Sequence, residues 1–314
     1  MLKRLVQWRS PSGPDARLSV LIFHRVLPEP DPLFPDEVDA RRFDELCGWI
    51  KSLFVVLKLD DAVNHLRNGT LPARAACITF DDGYADNLLI AAPILQNHGL
   101  SATFFVATGY LDGGCMWNDI IIESARRTQL RTWHLKDLAV DGLDSLDVET
   151  VVQKRTAIQS VIGQLKYLPS AERGAVVEEV ASHAKVQVPH DLMMTSGDVK
   201  RLRDAGMTIG AHTVTHPILA SLNDVDASEE IVGSKLALEK LLDQRVGLFA
   251  YPNGKRGIDF SDATVGIVRG LGFDAAVTTD WASSGPGTDL FQIPRFTPWD
   301  KSRLRFGARL IANL

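Results

Sequence analysis

The stretch Ala76-Cys-Ile-Thr-Phe-Asp-Asp-Gly-Tyr84 is an apolar run that ends in two adjacent carboxylates and a glycine. Such a run is expected of a strand in a parallel sheet covered on both sides, where neither face is left for polar side chains. Consecutive residues of an extended chain point opposite ways. Two neighbouring acids can therefore serve one site only if the backbone turns there, which Gly83 permits. An Asp-Gly turn with both acids solvated is the alternative.

Working outward, similar runs occur at Leu18–Val26, Ala102–Ala107, Met207–Ala211, Val246–Tyr251 and Phe273–Thr278, with a shorter one at Ile293–Phe296. Helical patterns lie between them, at Ala40–Ser52, Tyr84–Asn97, Ser196–Ala205, Asp224–Leu242 and Ser261–Gly270. Two of these end in glycines suited to the left-handed conformation, Gly99 and Gly206. Strands alternating with helices imply parallel pairing through right-handed crossovers. The predicted fold is α/β, a deformed (β/α) barrel of about seven parallel strands. The segment from Asp112 to Thr195 breaks the rhythm and reads as a helical insertion, with helices at Val148–Leu168 and Ser170–Val186 and no strand. Residues 1–314 are thus expected to form a single barrel domain with an insertion at about 112–195. The proline-rich piece Leu27–Pro35 follows the first strand, where a barrel keeps its active-site loops.

The composition is that of a globular protein: 314 residues, 45% hydrophobic and 23% charged. A formal charge of −5 argues against a nucleic-acid partner and for a neutral substrate. Cys47, Cys77 and Cys115 are unclustered and read as core residues of a reducing compartment. The N-terminus lacks the apolar stretch of a signal peptide, and no run approaches the ~18–20 apolar residues of a transmembrane helix. The expected location is the cytoplasm. The tail Ser302–Leu314 interleaves arginines with apolar residues, a pattern that suits a docked terminal helix or peripheral contact with a membrane surface.

The second cluster of chemistry is Gly210-Ala-His-Thr-Val-Thr-His-Pro217, again directly after a predicted strand. His212 and His216 are four apart, so one helical turn would place both imidazoles on one side, as a metal requires. Two histidines and a carboxylate form a typical catalytic zinc set, leaving the other carboxylate free to act as a base. Both clusters follow strands, and the C-terminal ends of parallel barrel strands share one face.

Thr79-Phe-Asp-Asp-Gly83 and His212-Thr-Val-Thr-His216 resemble the first two motifs of the polysaccharide deacetylases (carbohydrate esterase family 4, the NodB homology domain). The resemblance covers Leu18 to about Thr297, apart from most of the insertion. It implies that Asp81 is the catalytic base and that Asp82, His212 and His216 bind a divalent metal, zinc by ligand type. In the third motif, Leu248-Phe-Ala-Tyr-Pro-Asn-Gly254, Ala250 replaces the family's arginine and Asn253 its tyrosine. The Asn253 backbone N–H still suits an oxyanion donor, a role that needs no particular side chain. The fourth motif resembles Thr278-Thr-Asp-Trp281. The fifth, Asp289-Leu-Phe-Gln-Ile-Pro-Arg295, lacks the histidine that the family uses as general acid.

Two replacements are at hand. Arg295 ends the last predicted strand and would orient Asp81, unless it pairs with Asp280 or Asp289 instead. His24, in Phe23-His-Arg-Val26, is similar to the first-strand segment of deacetylases acting on poly-N-acetylglucosamine and would supply the acid, unless it is a hydrogen-bonded core histidine. Tyr84, Trp117, Tyr251, Trp281 and Trp299 either stack on sugar faces or fill the core; Tyr251 and Trp281 are read, with Asn253, as lining the substrate site. The expected activity is metal-dependent hydrolysis of N-acetyl groups on an amino-sugar polysaccharide or glycan precursor. Hydrolysis of another C–N bond, in a cyclic amide or a formamido sugar, and an inactive glycan-binding barrel are the rivals.

Overall fold

In the computed structural model, which describes residues 2–136, 143–168 and 170–314, the quoted run is one strand of a parallel sheet. The strands are β1 (Leu18–Phe23), β2 (Val55–Val56), β3 (Ala75–Phe80), β4 (Thr103–Val106), β5 (Thr132–His134), β6 (Ser145–Asp147), β7 (Thr208–Ala211), β8 (Leu248–Ala250) and β9 (Ala275–Val277). The helices begin with α1 (Leu2–Arg9), α2 (Ala40–Leu53), α3 (Leu59–Asn68), α4 (Ala92–His98), α5 (Trp117–Arg127) and α6 (Val151–Leu165). They continue with α7 (Ser170–Ala184), α8 (Ser196–Asp204), α9 (Asp224–Leu242), α10 (Asp262–Gly270) and α11 (Arg303–Asn313).

Contacts divide the chain into two compact units. One comprises Met1–Glu29, Asp36–Asp112 and Met194–Leu314; the other comprises Pro30–Pro35 and Gly113–Met193. The first holds a seven-stranded sheet of order β1-β3-β4-β7-β8-β9, all pairs parallel, with β2 also on β3. β1 pairs with β3 along its full length. The opposite edge of β3 is therefore shared, with β2 at Ala75–Ala76 and β4 at Thr79–Phe80.

The two ends of the sheet are joined by the short run at 293–296. Ile293 bridges Val277 of β9 and Phe296 bridges Leu21 of β1, both in parallel sense. The bridging bonds include Thr278 N–H to Ile293 O (2.8 Å) and Phe296 N–H to Val20 O (2.7 Å). The sheet thus curls into the deformed barrel expected of it. The 293–296 run is not a regular strand, because Pro294 has no N–H to offer a ladder.

Period-2 alternation sorts the strand residues into two cores. Leu18, Val20, Ala75, Cys77, Phe105, Leu248, Ala250 and Val277 pack with Leu59, Ala62 and Val63 of α3 as the inner cluster. Leu21, Ile78, Phe80, Phe104, Ile209, Phe249 and Tyr251 face the helices as the outer one. Caps start the helices where the sequence changes period: Asp39 accepts from Arg42 N–H at α2, and Asn223 from Val225 and Asp226 N–H at α9. Each cap contributes about 1 kcal/mol. Gly99 ends α4 in the left-handed conformation, as expected.

Several expectations need correction. The helix predicted from Tyr84 opens instead with a π-turn, Asn87–Ala91, before α4. β2, α1 and α3 were not among the expected elements; β2 is only two residues long. The insertion is not free of strands: β5 and β6 pair antiparallel as a hairpin. Residues 137–142 and 169 of that insertion lie outside the described residues. Its unit has its own core, in which Trp133 is fully buried among α5, α6 and α7 residues. Pro30–Pro35 belongs to this second unit, held by Asp31 to the Arg126 guanidinium (2.6 and 2.9 Å) and by Arg155 to the Leu33 carbonyl (2.7 Å). Cys47 and Cys77 are buried as expected, whereas Cys115 is partly exposed.

Gly210 lies in β7 between the outward-facing Ile209 and Ala211. A Cβ built on it would overlap the Phe105 ring of the inner cluster. Gly210→Ala is expected to lower stability by about 1–3 kcal/mol through overpacking, read as a fall in Tm. Pairing it with Phe105→Leu should restore part of the loss.

Candidate active site

β3 carries its ladder one residue further, with Asp81 N–H donating to Phe23 O (3.0 Å). Asp81 thus keeps the inward register of Cys77 and Thr79. The chain then reverses: Asp82 has φ 75° and Gly83 φ 94°. The reversal begins at Asp82 itself, one residue earlier than the glycine suggested, and it is what brings two consecutive carboxylates to the same end of the barrel.

Arg295, on the run that joins β9 to β1, meets Asp81 in a two-point pair. Nη1 donates to Oδ1 and Nη2 to Oδ2, each at 2.7 Å. The guanidinium also donates from Nε to Thr278 O (2.7 Å) and from Nη1 to Thr79 Oγ1 (3.2 Å). Both side chains are buried. Burial works to raise the Asp81 pKa, but the Arg295 charge, the nearby His212 and the hydrogen bonds outweigh it, so the carboxyl lies below its usual value and is ionised at neutral pH. The alternative pairing is not made, because Asp289 is engaged by Arg269 (3.1 Å). Asp280 meets Arg295 only through its backbone carbonyl.

Asp82 faces the two histidines. Its Oδ1 is 3.4 Å from Nε2 of His212 and 3.4 Å from Nε2 of His216. Ligand atoms of all three residues lie within 4.8 Å of one another. Oδ1 is buried and accepts no hydrogen bond among the described residues. Donors about 2.0–2.1 Å from a tetrahedral cation lie roughly 3.3–3.4 Å apart, so an orphaned carboxylate oxygen at this spacing from two imidazole nitrogens fits a shared cation. His212 Nδ1 is 2.8 Å from the Ala250 carbonyl. A carbonyl only accepts, so Nδ1 carries a proton, and in the neutral ring Nε2 is left with its lone pair toward Asp82. Burial lowers the His216 pKa to about 4, leaving that ring neutral. Burial opposes the charged form of His212 as well, but Asp82 and Asp81 together raise it. Burial likewise opposes ionisation of Asp82, and the two imidazoles reverse the sign and hold it low.

The histidines do not converge through a helical turn, as their spacing suggested. Residues 212–218 are irregular, with Thr213 at φ 65° and His216 at φ 53°. Such conformations cost about 1–3 kcal/mol each and persist only where the surroundings impose them. Glu230 of α9 is the chief restraint. It accepts from Val214 N–H (2.9 Å), Thr215 N–H (2.8 Å) and Thr215 Oγ1 (2.6 Å). Thr213 Oγ1 accepts from His216 N–H (3.1 Å), and Tyr110 donates to Thr215 O (2.8 Å). Glu230 has no sequence signature, since it lies one unremarkable helix away from the loop it holds.

The remaining candidates sit at the C-terminal ends of other strands. His24 follows β1 and is exposed, not a core histidine. It lies within electrostatic reach of Asp81, Asp82 and His216. Its carbonyl accepts from Asn87 Nδ2 (2.8 Å), while Asp86 accepts from Arg25 Nε (2.8 Å) and Val26 N–H (3.1 Å). Asp86 and Asn87, two and three residues after the Asp-Asp-Gly-Tyr turn, thereby pin the His24 loop, a function the sequence did not disclose. Asn253 follows β8 at φ 57°, exposed, and its N–H meets no protein acceptor among the described residues. Trp281 is 55% exposed against Phe296. Tyr251 must be withdrawn from the substrate-lining residues. It belongs to the outer cluster, stacks on Phe260 (4.0 Å) and donates to Phe291 O (3.0 Å). Tyr84 is buried too.

A parallel barrel whose strand ends gather an arginine-held carboxylate beside an Asp-His-His triad is a hydrolase-type architecture. The family model for polysaccharide deacetylases matches residues 68–276, and the chain belongs to that family. Its fold is similar to that of the Streptococcus pyogenes deacetylase PplD in complex with acetate, at TM-score 0.62 and 19% identity over 95% of this chain and 98% of that one. IcaB from Ammonifex degensii gives TM-score 0.62 and 19% identity over 96% and 97%. The BpsB deacetylase domain from Bordetella bronchiseptica gives 0.58 and 17% over 90% and 97%.

Removing the guanidinium leaves Asp81 buried without its counter-charge. Arg295→Met should cost about 3–5 kcal/mol at neutral pH. The wild-type Asp81 pKa lies below its unfolded value, so its contribution is present above about pH 4 and is lost as pH falls through the folded value. In the variant the pKa rises and Asp81 takes up a proton earlier. The stability gap between the two proteins should therefore narrow on acidification, measured by chemical unfolding across a pH series.

Proposed function

We propose that this chain is a metal-dependent N-deacetylase of an amino-sugar glycan. The observation that carries the reading is the orphaned Asp82 Oδ1 lying 3.4 Å from two imidazole nitrogens, beside a carboxylate that Arg295 keeps off them. Asp82, His212 and His216 would hold a divalent cation, zinc by ligand type. Bound there, it supplies Lewis acidity toward an acetyl carbonyl and lowers the pKa of water.

The chain's own groups do the rest. Asp81 takes the proton of the attacking water, and Arg295 fixes both of its oxygens. A carboxylate held below its usual value is a weak base, so Asp81 would serve a water acidified by a cation on the neighbouring triad. The exposed Asn253 N–H is a free donor for the developing oxyanion. An amine departs only when protonated, and His24 is the exposed titratable group near both carboxylates to do it. Trp281 offers an open face to a sugar ring. The deacetylase names of PplD and BpsB, and the acetate bound to the former, agree with release of an acetyl group.

Acetate released from N-acetylglucosamine oligomers is the assay. Asp81→Asn should abolish turnover with metal content intact, while His212→Ala should lose both, as read by elemental analysis. Chelation should silence the enzyme and zinc should restore it. Formate release from a formylated substrate, without acetate release from these oligomers, would sink the acetyl reading. Activity indifferent to the chelator would sink the metal.

Glu230→Ala should weaken metal affinity about 10- to 100-fold, as loss of support behind ligands does. The loop would no longer hold its left-handed residues. Competition with a chromogenic chelator would measure this; unchanged affinity would make Glu230 a mere surface cap.

A further inference from the structure

The charge of the chain is unevenly placed. α1 carries Lys3, Arg4 and Arg9, and α11 carries Arg303, Arg305 and Arg309, with no acidic residue in either helix. These six basic groups leave a formal −11 on the other residues of a chain whose total is −5. The two helices pack together. Leu2 of α1 lies over Gly307 of α11, close enough that a Cβ there would meet it at 2.9 Å, and Trp8, Arg9 and Leu314 share the wall of one surface cleft. The helices therefore run side by side in the same direction, with Leu2 beside residue 307 and Trp8 beside residue 314.

Their outer seam is apolar. On α11, Leu304 and Ile311 lie one turn to either side of Gly307, on the flank that meets α1. On α1, Leu5 follows Leu2 by three residues and Trp8 follows Leu5 by three. Trp8 is 76% exposed, Leu304 73% and Leu5 41%. Three large apolar side chains left in water on one basic helix pair are a cost that the fold does not need, since Val6, Phe306 and Leu310 already anchor the pair in the core. Some of the cations are engaged: Arg305 and Arg309 pair with Asp300, and Arg303 with Ser52. Lys3, Arg4 and Arg9 make no ion pair among the described residues.

We infer that this α1–α11 face docks on an anionic lipid surface. A polyanionic chain would use the cations but gives leucines nothing to enter, whereas a bilayer interface takes both: arginines and lysines at the headgroups, Trp and Leu at the acyl boundary. No helix of the described residues is long and apolar enough to cross a membrane, and α1 and α11, at 8 and 11 residues, would lie along the interface. On its other flank α11 places Arg309 against Trp281 and Trp299. Docking would hold the Trp281 side of the barrel about one helix diameter, roughly 10 Å, from the surface. The inference rests on charge and exposure alone and does not require the deacetylase reading.

Co-sedimentation of the full chain with vesicles tests it. One set is pure phosphatidylcholine and the other contains roughly one-third phosphatidylglycerol, at low and high salt. The protein should pellet with the anionic set and release as salt rises. Each basic side chain at such a surface is worth about fivefold in partitioning, so Arg4→Gln with Arg9→Gln should weaken binding about 25-fold with an unchanged melting curve. Binding should shift tryptophan emission to the blue, and Trp8→Phe should remove that shift. Equal binding to both vesicle sets, binding to neither, or undiminished binding of the double variant would overturn the proposal. Retention on heparin without vesicle binding would also overturn it, assigning the face to a polyanion.

Discussion

The two-point pair between Arg295 and Asp81 is the constraint on which the site depends. Taking a carboxylate and a guanidinium out of water costs several kcal/mol for each ion, and such a pair rarely repays this as stability. What it fixes is chemistry. Both Asp81 oxygens are occupied by the guanidinium, so Asp81 does not join its neighbour Asp82 against the imidazoles. Two adjacent residues of the same type thereby acquire different partners. The backbone reversal at Asp82 makes them neighbours in space, and the arginine makes them unlike.

The histidine loop shows the same logic in backbone form. Left-handed φ values at Thr213 and His216 are unfavourable for residues with a Cβ, and five hydrogen bonds to or from Glu230, Thr213 and Tyr110 impose them. Asp86 and Asn87 restrain His24 in the same way. Asp81, the histidine loop and the His24 loop are thus each held by a polar group from another element, and the sheet supplies the common end at which they meet.

Much of this was legible beforehand because it is local. Buried parallel strands show as apolar runs, so β1, β3, β4, β7, β8 and β9 stand out, and paired acids or histidines after such runs mark the strand ends. Arg295 could be matched to Asp81 because the expected arginine at position 250 was missing and the run Ile293–Phe296 promised a strand. What escaped depends on contacts distant in sequence. A spacing of four residues fits a helical turn and a cross-linked loop equally well, and only Glu230 decides between them. Tyr251 reads as a substrate-lining residue because its motif lies at a strand end; alternation with Ala250 turns it outward into the helical layer. The two-residue β2 and the β5–β6 hairpin are too short for any periodicity to register.

The order in which the chain leaves the ribosome gives the position of Arg295 a further meaning. Residues 24, 81, 82, 212, 216, 253 and 281 all emerge before it, and it arrives on the run whose bonds to Val277 and Leu21 join the sheet ends. Until the ends join, the C-terminal ends of the strands stand open to water and Asp81 is an ordinary solvated carboxylate. Ring closure removes that water and delivers the Arg295 guanidinium in the same step, so the cost of burying Asp81 and its compensation arrive together.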